Sequence, residues 1–410
     1  MKVGDYVRVR RGDRIYEGIL MPKTEFSDVV VIKLSNGYNV GFKADEVELI
    51  EKGKRFEAKM PEVHLEERED LKKVSILGTG GTVASKIEYK TGAVYPAFSP
   101  EELLTLIPEL SELALIDGRE VLSIFSEDYN LEYWKLVSRE ILKEIKKGSQ
   151  GIVVGHGTDT MHYTSAFLSF MLRELSCPVV LVGSQRSSDR PSTDSYLNLL
   201  CAVRLSTTDL GEVSVVMHSS IEDDFCYAHR GTRVRKLHTS RRDAFKSVNE
   251  IPIAKVFRDK VEFLSSYRKA LGETYLDTKF EERVAILKFY PGMPLEVIDF
   301  FSERYRGVIL EGTGLGHIST NLIDAVSRGV EMGVFYGMTS QCIHGRVNLN
   351  VYKTGRLLLK AGVVPLEDML TETAFAKLSY VLGHTQDLKE AKKMMLENIA
   401  GEICHSSRIL

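Results

Sequence analysis

Paired cysteines, long apolar runs and an excess of either charge are all missing from this sequence. Its five cysteines, Cys177, Cys201, Cys226, Cys342 and Cys404, are scattered and form no C-x-x-C pair. That argues against a disulfide framework and against a structural zinc site, so no metal is expected. No apolar run is long enough to span a bilayer, and the opening "MKVGDYVRVRRGDR" has no signal-peptide core. A cytoplasmic setting without membrane contact is the simplest expectation. Lys and Arg number 54 against 57 Asp and Glu, a formal net charge of -3. Without a global polycation, nucleic acid would be met by a patch or through another subunit.

What is present is the balance of a globular protein: 43% hydrophobic and 27% charged residues over 410 positions. That length suits two or three domains. Residues 1–52 hold short alternating or apolar runs ("DYVRVRR", "IYEGILM", "DVVVIKL", "YNVGF"), and Asn36-Gly37 suits a tight hairpin turn. They predict a small SH3-like or Sm-like β-barrel. Residues 53–73 are dense in charge and read as a linker. From Val74 the pattern becomes apolar strand, small-residue loop, then helix. Strand candidates are "VSIL", "GIVVG", "PVVLVG", "VSVVMH", "VAILKFY", "GVILEG" and "GVFYGM". Helical spacing marks "NLEYWKLVSREILKEIKK" and "MHYTSAFLSFMLREL". This alternation predicts an α/β fold with mostly parallel sheets. The expected units are a larger domain over 74–265 and a smaller C-terminal one over 284–410, with a polar boundary between them.

In open parallel sheets, ligands bind beyond the carboxyl ends of the strands. Those ends read "GTGGT", "GHGTDT", "GSQRSSDRPSTD", "HSSIEDD" and "EGTGLGH", rich in Gly, Ser, Thr and Asp. The first is a weak phosphate loop: Val83 stands where the dinucleotide fingerprint needs its last glycine, and no P-loop Lys-Ser/Thr follows. Its threonines could instead be caps, and so could Asp159 for the helix after it. A threonine hydroxyl becomes a nucleophile only when a base removes its proton, and a lysine positioned by a carboxylate can do this. Lys246, in "DAFKSVN", has a suggestive setting, although spacing alone reads it as a surface lysine.

Taken together and in order, "ILGTGGTVAS", "GHGTDTM", "GSQR" and "AFKSVN" resemble the bacterial-type L-asparaginase/glutaminase family over roughly residues 74–410. Within it the chain looks most like the branch of D subunits of archaeal glutamyl-tRNA(Gln) amidotransferase, which carries an extra N-terminal barrel. The resemblance implies an asparaginase-like two-domain parallel-sheet fold preceded by that small β-barrel. It also implies an amidohydrolase with Thr82, Thr158, Asp159 and Lys246 as its catalytic set. Which threonine attacks the amide and which serves the proton relay stays open; Thr82 is expected to attack first. Thr79 is then structural.

By the same resemblance Tyr95 closes over Thr82, with Tyr89 as second choice, and Ser126 and Glu127 bind the substrate. Glu127 departs from the family's usual Gln, and a carboxylate there still suits an α-amino group. "EGTGLGH" replaces a usual asparagine-bearing segment and brings His317, which leaves the choice between Gln and Asn open. The branch implies no cofactor in this chain, with ATP and Mg used by the partner E subunit (GatE). It implies a homodimer of this chain within a heterotetramer, glutamine as substrate, and tRNA(Gln) met mainly through the partner. The alternative is a free-standing L-asparaginase. The basic run "HRGTRVRKLHTSRR", residues 229–242, reads first as a solvated loop and second as a tRNA or partner contact.

Overall fold

The computed structural model describes residues 1–21, 29–34, 39–43, 46–52, 71–81, 85–87, 94–96, 100–187, 192–404 and 406. Asn36, Gly37 and most of the charged 53–73 stretch lie outside the described residues. The N-terminal strands are β1 (Tyr6–Arg11), β2 (Arg14–Leu20), β3 (Val30–Leu34), β4 (Asn39–Phe42) and β5 (Glu46–Glu51). They form one antiparallel sheet in the order β4-β3-β2-β1-β5. Alternation along β1 sends Val7 and Val9 into a core with Ile32, while Arg8 stays outside against Glu17 and Glu48. Gly12, at φ 57, turns β1 into β2.

The larger part begins with β6 (Lys73–Gly78), β7 (Ser85–Ile87), β8 (Val94–Pro96), β9 (Leu115–Glu120), β10 (Gly151–Gly155), β11 (Leu172–Arg173) and β12 (Val179–Val182). It continues through β13 (Val213–His218), β14 (Cys226–Arg230), β15 (Val234–Lys236), β16 (Phe245–Ser247), β17 (Ala254–Val256), β18 (Val261–Phe263) and β19 (Tyr275–Leu276). Its helices are α1 (Pro100–Leu106), α2 (Leu110–Leu113), α3 (Leu131–Lys146), α4 (Met161–Met171) and α5 (Ser195–Ser206). Eight strands join in the order β18-β17-β14-β13-β12-β10-β6-β9. From β9 to β13 neighbours are parallel, and from β13 outward they are antiparallel.

The central strands are buried on both faces, which is why they read as unbroken apolar runs. Val153, Val180 and Val182 pack with Leu199, Leu200 and Val203 of α5 on one side. Ile152, Val154 and Leu181 pack with Ile141 of α3 and Met161 and Leu168 of α4 on the other. Asn130 caps α3, its side chain accepting from the N–H groups of Glu132 and Tyr133.

The C-terminal part carries β20 (Val284–Lys288), β21 (Gly307–Gly312), β22 (Phe335–Ser340) and β23 (Val364–Pro365) in a four-stranded parallel sheet of that order. Its helices are α6 (Leu295–Arg304), α7 (Ile323–Glu331), α8 (Lys353–Lys360), α9 (Thr371–His384) and α10 (Leu388–Leu396). A fully buried ion pair, Arg233 to Asp368 at 3.1 Å, joins this part to the larger one. Asn249 adds bonds to the backbone oxygens of Gly345 and Asp368. All five cysteines are free thiols. Among the described residues no helix is long and apolar enough to cross a membrane.

Candidate active site

β6 and β10 end level with each other, Gly78 opposite Gly155. The two threonine-bearing turns therefore leave the sheet side by side. Thr79 is buried and donates both its N–H and its Oγ1 to Gly155 O, each at 2.9 Å. Its hydroxyl ties the first turn to the neighbouring strand. Gly80 and Gly81 follow at φ 107 and 81. A Cβ on Gly80 would lie 2.1 Å from Ile124 O, and one on Gly81 2.7 Å from Gly157 N. Only glycine permits both the left-handed backbone and this contact between the turns. Thr82 comes next in the chain and lies outside the described residues, as does Tyr89. Tyr95 falls in β8, paired opposite Lys86 of β7.

The second turn is held from below by His156, which is fully buried at the end of β10. Its Nδ1–H donates to Gly157 O at 2.6 Å. Nε2 then accepts from Thr164 Oγ1 at 2.8 Å, and that oxygen accepts from Trp134 Nε1 at 2.9 Å. Only the neutral ring satisfies this chain of donors and acceptors, and burial agrees, lowering the His156 pKa to about 4. The Tyr129 ring lies 4.5 Å from the His156 ring, and its hydroxyl donates to Thr79 O at 3.4 Å. No motif in the sequence marks this support.

Thr158 and Asp159 stand on that base. Asp159 is exposed and does not cap α4; its carboxylate instead accepts from Lys236 Nζ at 2.7 Å. The same Nζ donates to Thr158 Oγ1 at 2.8 Å. Ser126 is buried in a short 3-10 turn beside them, and a Cβ on Gly157 would meet its Cβ at 2.8 Å. Thr160 Oγ1 donates to Ser126 O. Glu127 is exposed next to it, Ser126 Oγ donating to Glu127 Oε2 at 3.4 Å. The "GSQR" loop closes a third side. Asp194 accepts from the N–H groups of Gln185 and Arg186, and a Cβ on Gly183 would lie 2.8 Å from Thr158 Cγ2.

Lys246 is not part of this cluster. Its Nζ donates to Asp243 Oδ2 at 3.0 Å and Ser219 O at 3.2 Å. The reason is the register of the β15–β16 hairpin, which pairs Lys236 with Phe245 and Arg235 with Lys246. Directly opposed residues share a face of the ribbon. Val234 and Phe245 point into the core against α4, and Lys236, on their face, points at the start of that helix. Lys246 is on the other face. The inward parity of Val234 and Phe245 was the signal in the sequence that would have selected Lys236.

Of the basic run 229–242, residues 229–236 are buried or half-buried, and only Leu237–Arg241 form an exposed loop. Arg230 pairs with Glu212 and Glu250, Arg233 with Asp368, and Arg235 with Glu372. Lys236 pairs with Asp159, Arg241 with Asp243, and Arg242 with Asp223. Each lysine and arginine of the run thus has a carboxylate partner within the chain. His162, in the first turn of α4, is buried, and its pKa falls to about 3. The first cause is burial, followed by the nearby charges of Arg235 and Lys236. No group of three or more His, Cys, Asp or Glu that could hold a metal ion occurs among the described residues.

Comparison with known proteins places these features in a family. Residues 73–269 match the family described as Asparaginase, N-terminal; residues 283–395 match the Glutaminase/Asparaginase C-terminal domain; residues 1–52 match the GatD N-terminal domain. The D subunit of the glutamyl-tRNA(Gln) amidotransferase of Pyrococcus furiosus is 57% identical over 98% of this chain and 95% of its own length. Its counterpart in Thermococcus kodakarensis is 54% identical over 99% and 95%. Among solved structures, the thermostable L-asparaginase from Thermococcus kodakarensis superposes with a TM-score of 0.74 at 35% identity. It covers 82% of this chain and all (100%) of its own.

Proposed function

We propose, from the premise that the chain belongs to the family of glutamyl-tRNA(Gln) amidotransferase D subunits, that it is the glutaminase of such an enzyme. It hydrolyses glutamine and supplies ammonia to a partner subunit that converts Glu-tRNA(Gln) to Gln-tRNA(Gln). The observation that carries the site is Lys236 Nζ between Thr158 Oγ1 and Asp159 Oδ1, at 2.8 and 2.7 Å. The ammonium donates to the threonine oxygen. That lowers the cost of negative charge on Oγ1 and leaves the hydroxyl hydrogen available for transfer. We assign Lys236 the role that the resemblance gave to Lys246.

In the reaction, Thr82 Oγ attacks the amide carbon and its proton passes into the Thr158–Lys236–Asp159 group. The tetrahedral oxyanion collapses, the C–N bond breaks, and ammonia leaves with the added proton. Water then hydrolyses the resulting ester, returning Thr82 and releasing glutamate. Ser126 and Glu127 hold the α-carboxylate and α-amino ends, and Tyr95 closes the site. We read residues 1–52 as the N-terminal unit, 53–73 as a linker, 74–265 as the catalytic domain and 284–410 as the smaller domain. The partner is the E subunit (GatE), which uses ATP and Mg and carries most of the tRNA contact, around a homodimer of this chain in the cytoplasm.

The test is ammonia release from glutamine and asparagine, with and without the E subunit and Glu-tRNA(Gln). Weak release alone with strong stimulation by both additions is expected. No release from glutamine in the full mixture would exclude the reading. Steady asparagine hydrolysis indifferent to both additions would identify a free-standing L-asparaginase instead.

A further inference from the structure

β15 and β16 form a two-stranded ribbon separate from the eight-stranded sheet, and β15 is only three residues long. An isolated pair of that length has little stability of its own, so something else must fix where Lys236 points. Thr232 Oγ1 donates to Ala400 O, and Thr232 O accepts from Thr373 Oγ1. Arg233 reaches Asp368 and Gly401 O. Arg235, directly before Lys236, pairs with Glu372 in the first turn of α9, Nη1 to Oε1 at 3.0 Å. Nearly every residue leading to Lys236 is stitched to the C-terminal part.

The Arg235–Glu372 pair differs from the others. Glu372 is buried, and its second oxygen, Oε2, has no hydrogen-bond partner among the described residues. A buried carboxylate with half its acceptors unmet is held in place chiefly by its cation, here with help from the N-terminus of α9. Its other charged or ionisable neighbours are Glu311, Lys288 and Tyr163.

We propose that Arg235 and Glu372 are positioning residues for the glutaminase. Their ion pair anchors β15 to α9 and thereby holds Lys236 against Thr158 and Asp159. The C-terminal part then sets the alignment of a catalytic group it does not itself carry. This rests on the proposed role of Lys236, and its test separates the two.

Arg235→Gln and Glu372→Gln remove the ion pair, and Arg235→Lys keeps the charge. Lysines of the full-length chain are acetylated by a limiting amine-reactive reagent and read by mass spectrometry, with the exposed Lys260, outside the β15–β16 hairpin, as the internal reference. The two Gln variants are expected to raise Lys236 labelling about five-fold relative to Lys260, and Arg235→Lys to raise it less than two-fold. With the E subunit and Glu-tRNA(Gln), kcat for ammonia release is expected to fall about ten-fold in the Gln variants. KM should stay within about three-fold, and Arg235→Lys should recover most of kcat. Lys236 labelling and kcat both unchanged in the Gln variants would overturn the proposal. A wild-type chain without glutaminase activity would fell the functional reading while the labelling still decided the anchoring.

Discussion

The two strands of the β15–β16 hairpin each carry a lysine, and the two lysines live in different surroundings. Lys236 has a side chain only 8% exposed and donates to a threonine hydroxyl and a carboxylate. Lys246 is 41% exposed and donates to the carboxylate of Asp243, three residues away, and to a backbone oxygen. Both lie close to a buried histidine, His162 beside Lys236 and His229 beside Lys246. Burial near a histidine therefore does not distinguish them. What does is the face of the ribbon, because only Lys236 shares a side with Val234 and Phe245 and so meets the strand-end turns.

Removing each amine gives the largest contrast. Lys236→Met is expected to lower kcat/KM for glutamine by about 10³-fold, the scale of a lost proton-handling group. Thr158→Val should fall in the same range, and the two together should cost little more than either alone, since they act as a unit. Lys246→Met should stay within about three-fold, its half-exposed ion pair being worth under about 1 kcal/mol. Steady-state ammonia release from the variants in the full complex decides this. A Lys246→Met chain as inactive as Lys236→Met would return the catalytic role to Lys246.

A smaller effect comes from the turn that Lys236 serves. Gly157→Ala places a Cβ 2.8 Å from that of Ser126, which must shift or push the turn outward. Overpacking of this kind costs about 1–3 kcal/mol, and an ångström of displacement at a catalytic group can cost about 10²-fold in rate. The variant is expected to lose about 30- to 100-fold in kcat while its Tm drops by only a few degrees. The partners of Lys246, Asp243 and Ser219, are untouched by it. Acetylation of Lys246 should therefore match the wild type while that of Lys236 rises.

Strands and turns of the parallel core were legible because burial on both faces writes itself as apolar runs such as "GIVVG" and "VSVVMH", observed as β10 and β13. The antiparallel extension β14, β17 and β18 was not, since "CYAHR", "AKV" and "VEF" are short and mixed. β9, "LIDGRE", is an edge strand with no buried run to mark it. At the site, the Thr and Gly turns were visible as motifs. The lysine that lies against Thr158 and Asp159 was not, because "AFKSVN" drew attention to Lys246 while Lys236 sat in a run of arginines that resembled a solvated surface. Ion pairs such as Arg233–Asp368 join residues 135 apart in sequence, and no local pattern announces them.

The smallest contrast concerns the two histidines under the lysines. Burial, aided by the adjacent cations, lowers both His162 and His229 to about 3 from an ordinary 6.5. Each binds a proton more readily unfolded than folded, so the stability it contributes is present above pH 6.5. That stability is lost as pH falls toward 3, at about 1.4 kcal/mol per pH unit for each histidine. His156, lowered to about 4, adds to the same slope. Urea midpoints at pH 7.5, 6, 5 and 4 should therefore fall steeply in a range above that of most carboxylates. His162→Gln and His229→Gln should each flatten the slope by about the share of one proton, whichever lysine is the catalytic one. Each has one buried ring nitrogen without a partner among the described residues, His162 Nδ1 and His229 Nε2, but His229 also has a bond from Nδ1 to Ser247 Oγ at 2.8 Å. The Gln variant at 229 is accordingly expected to lose more stability at pH 7.5, by about 1 kcal/mol. An equal loss at both positions would mean that the Ser247 bond contributes nothing.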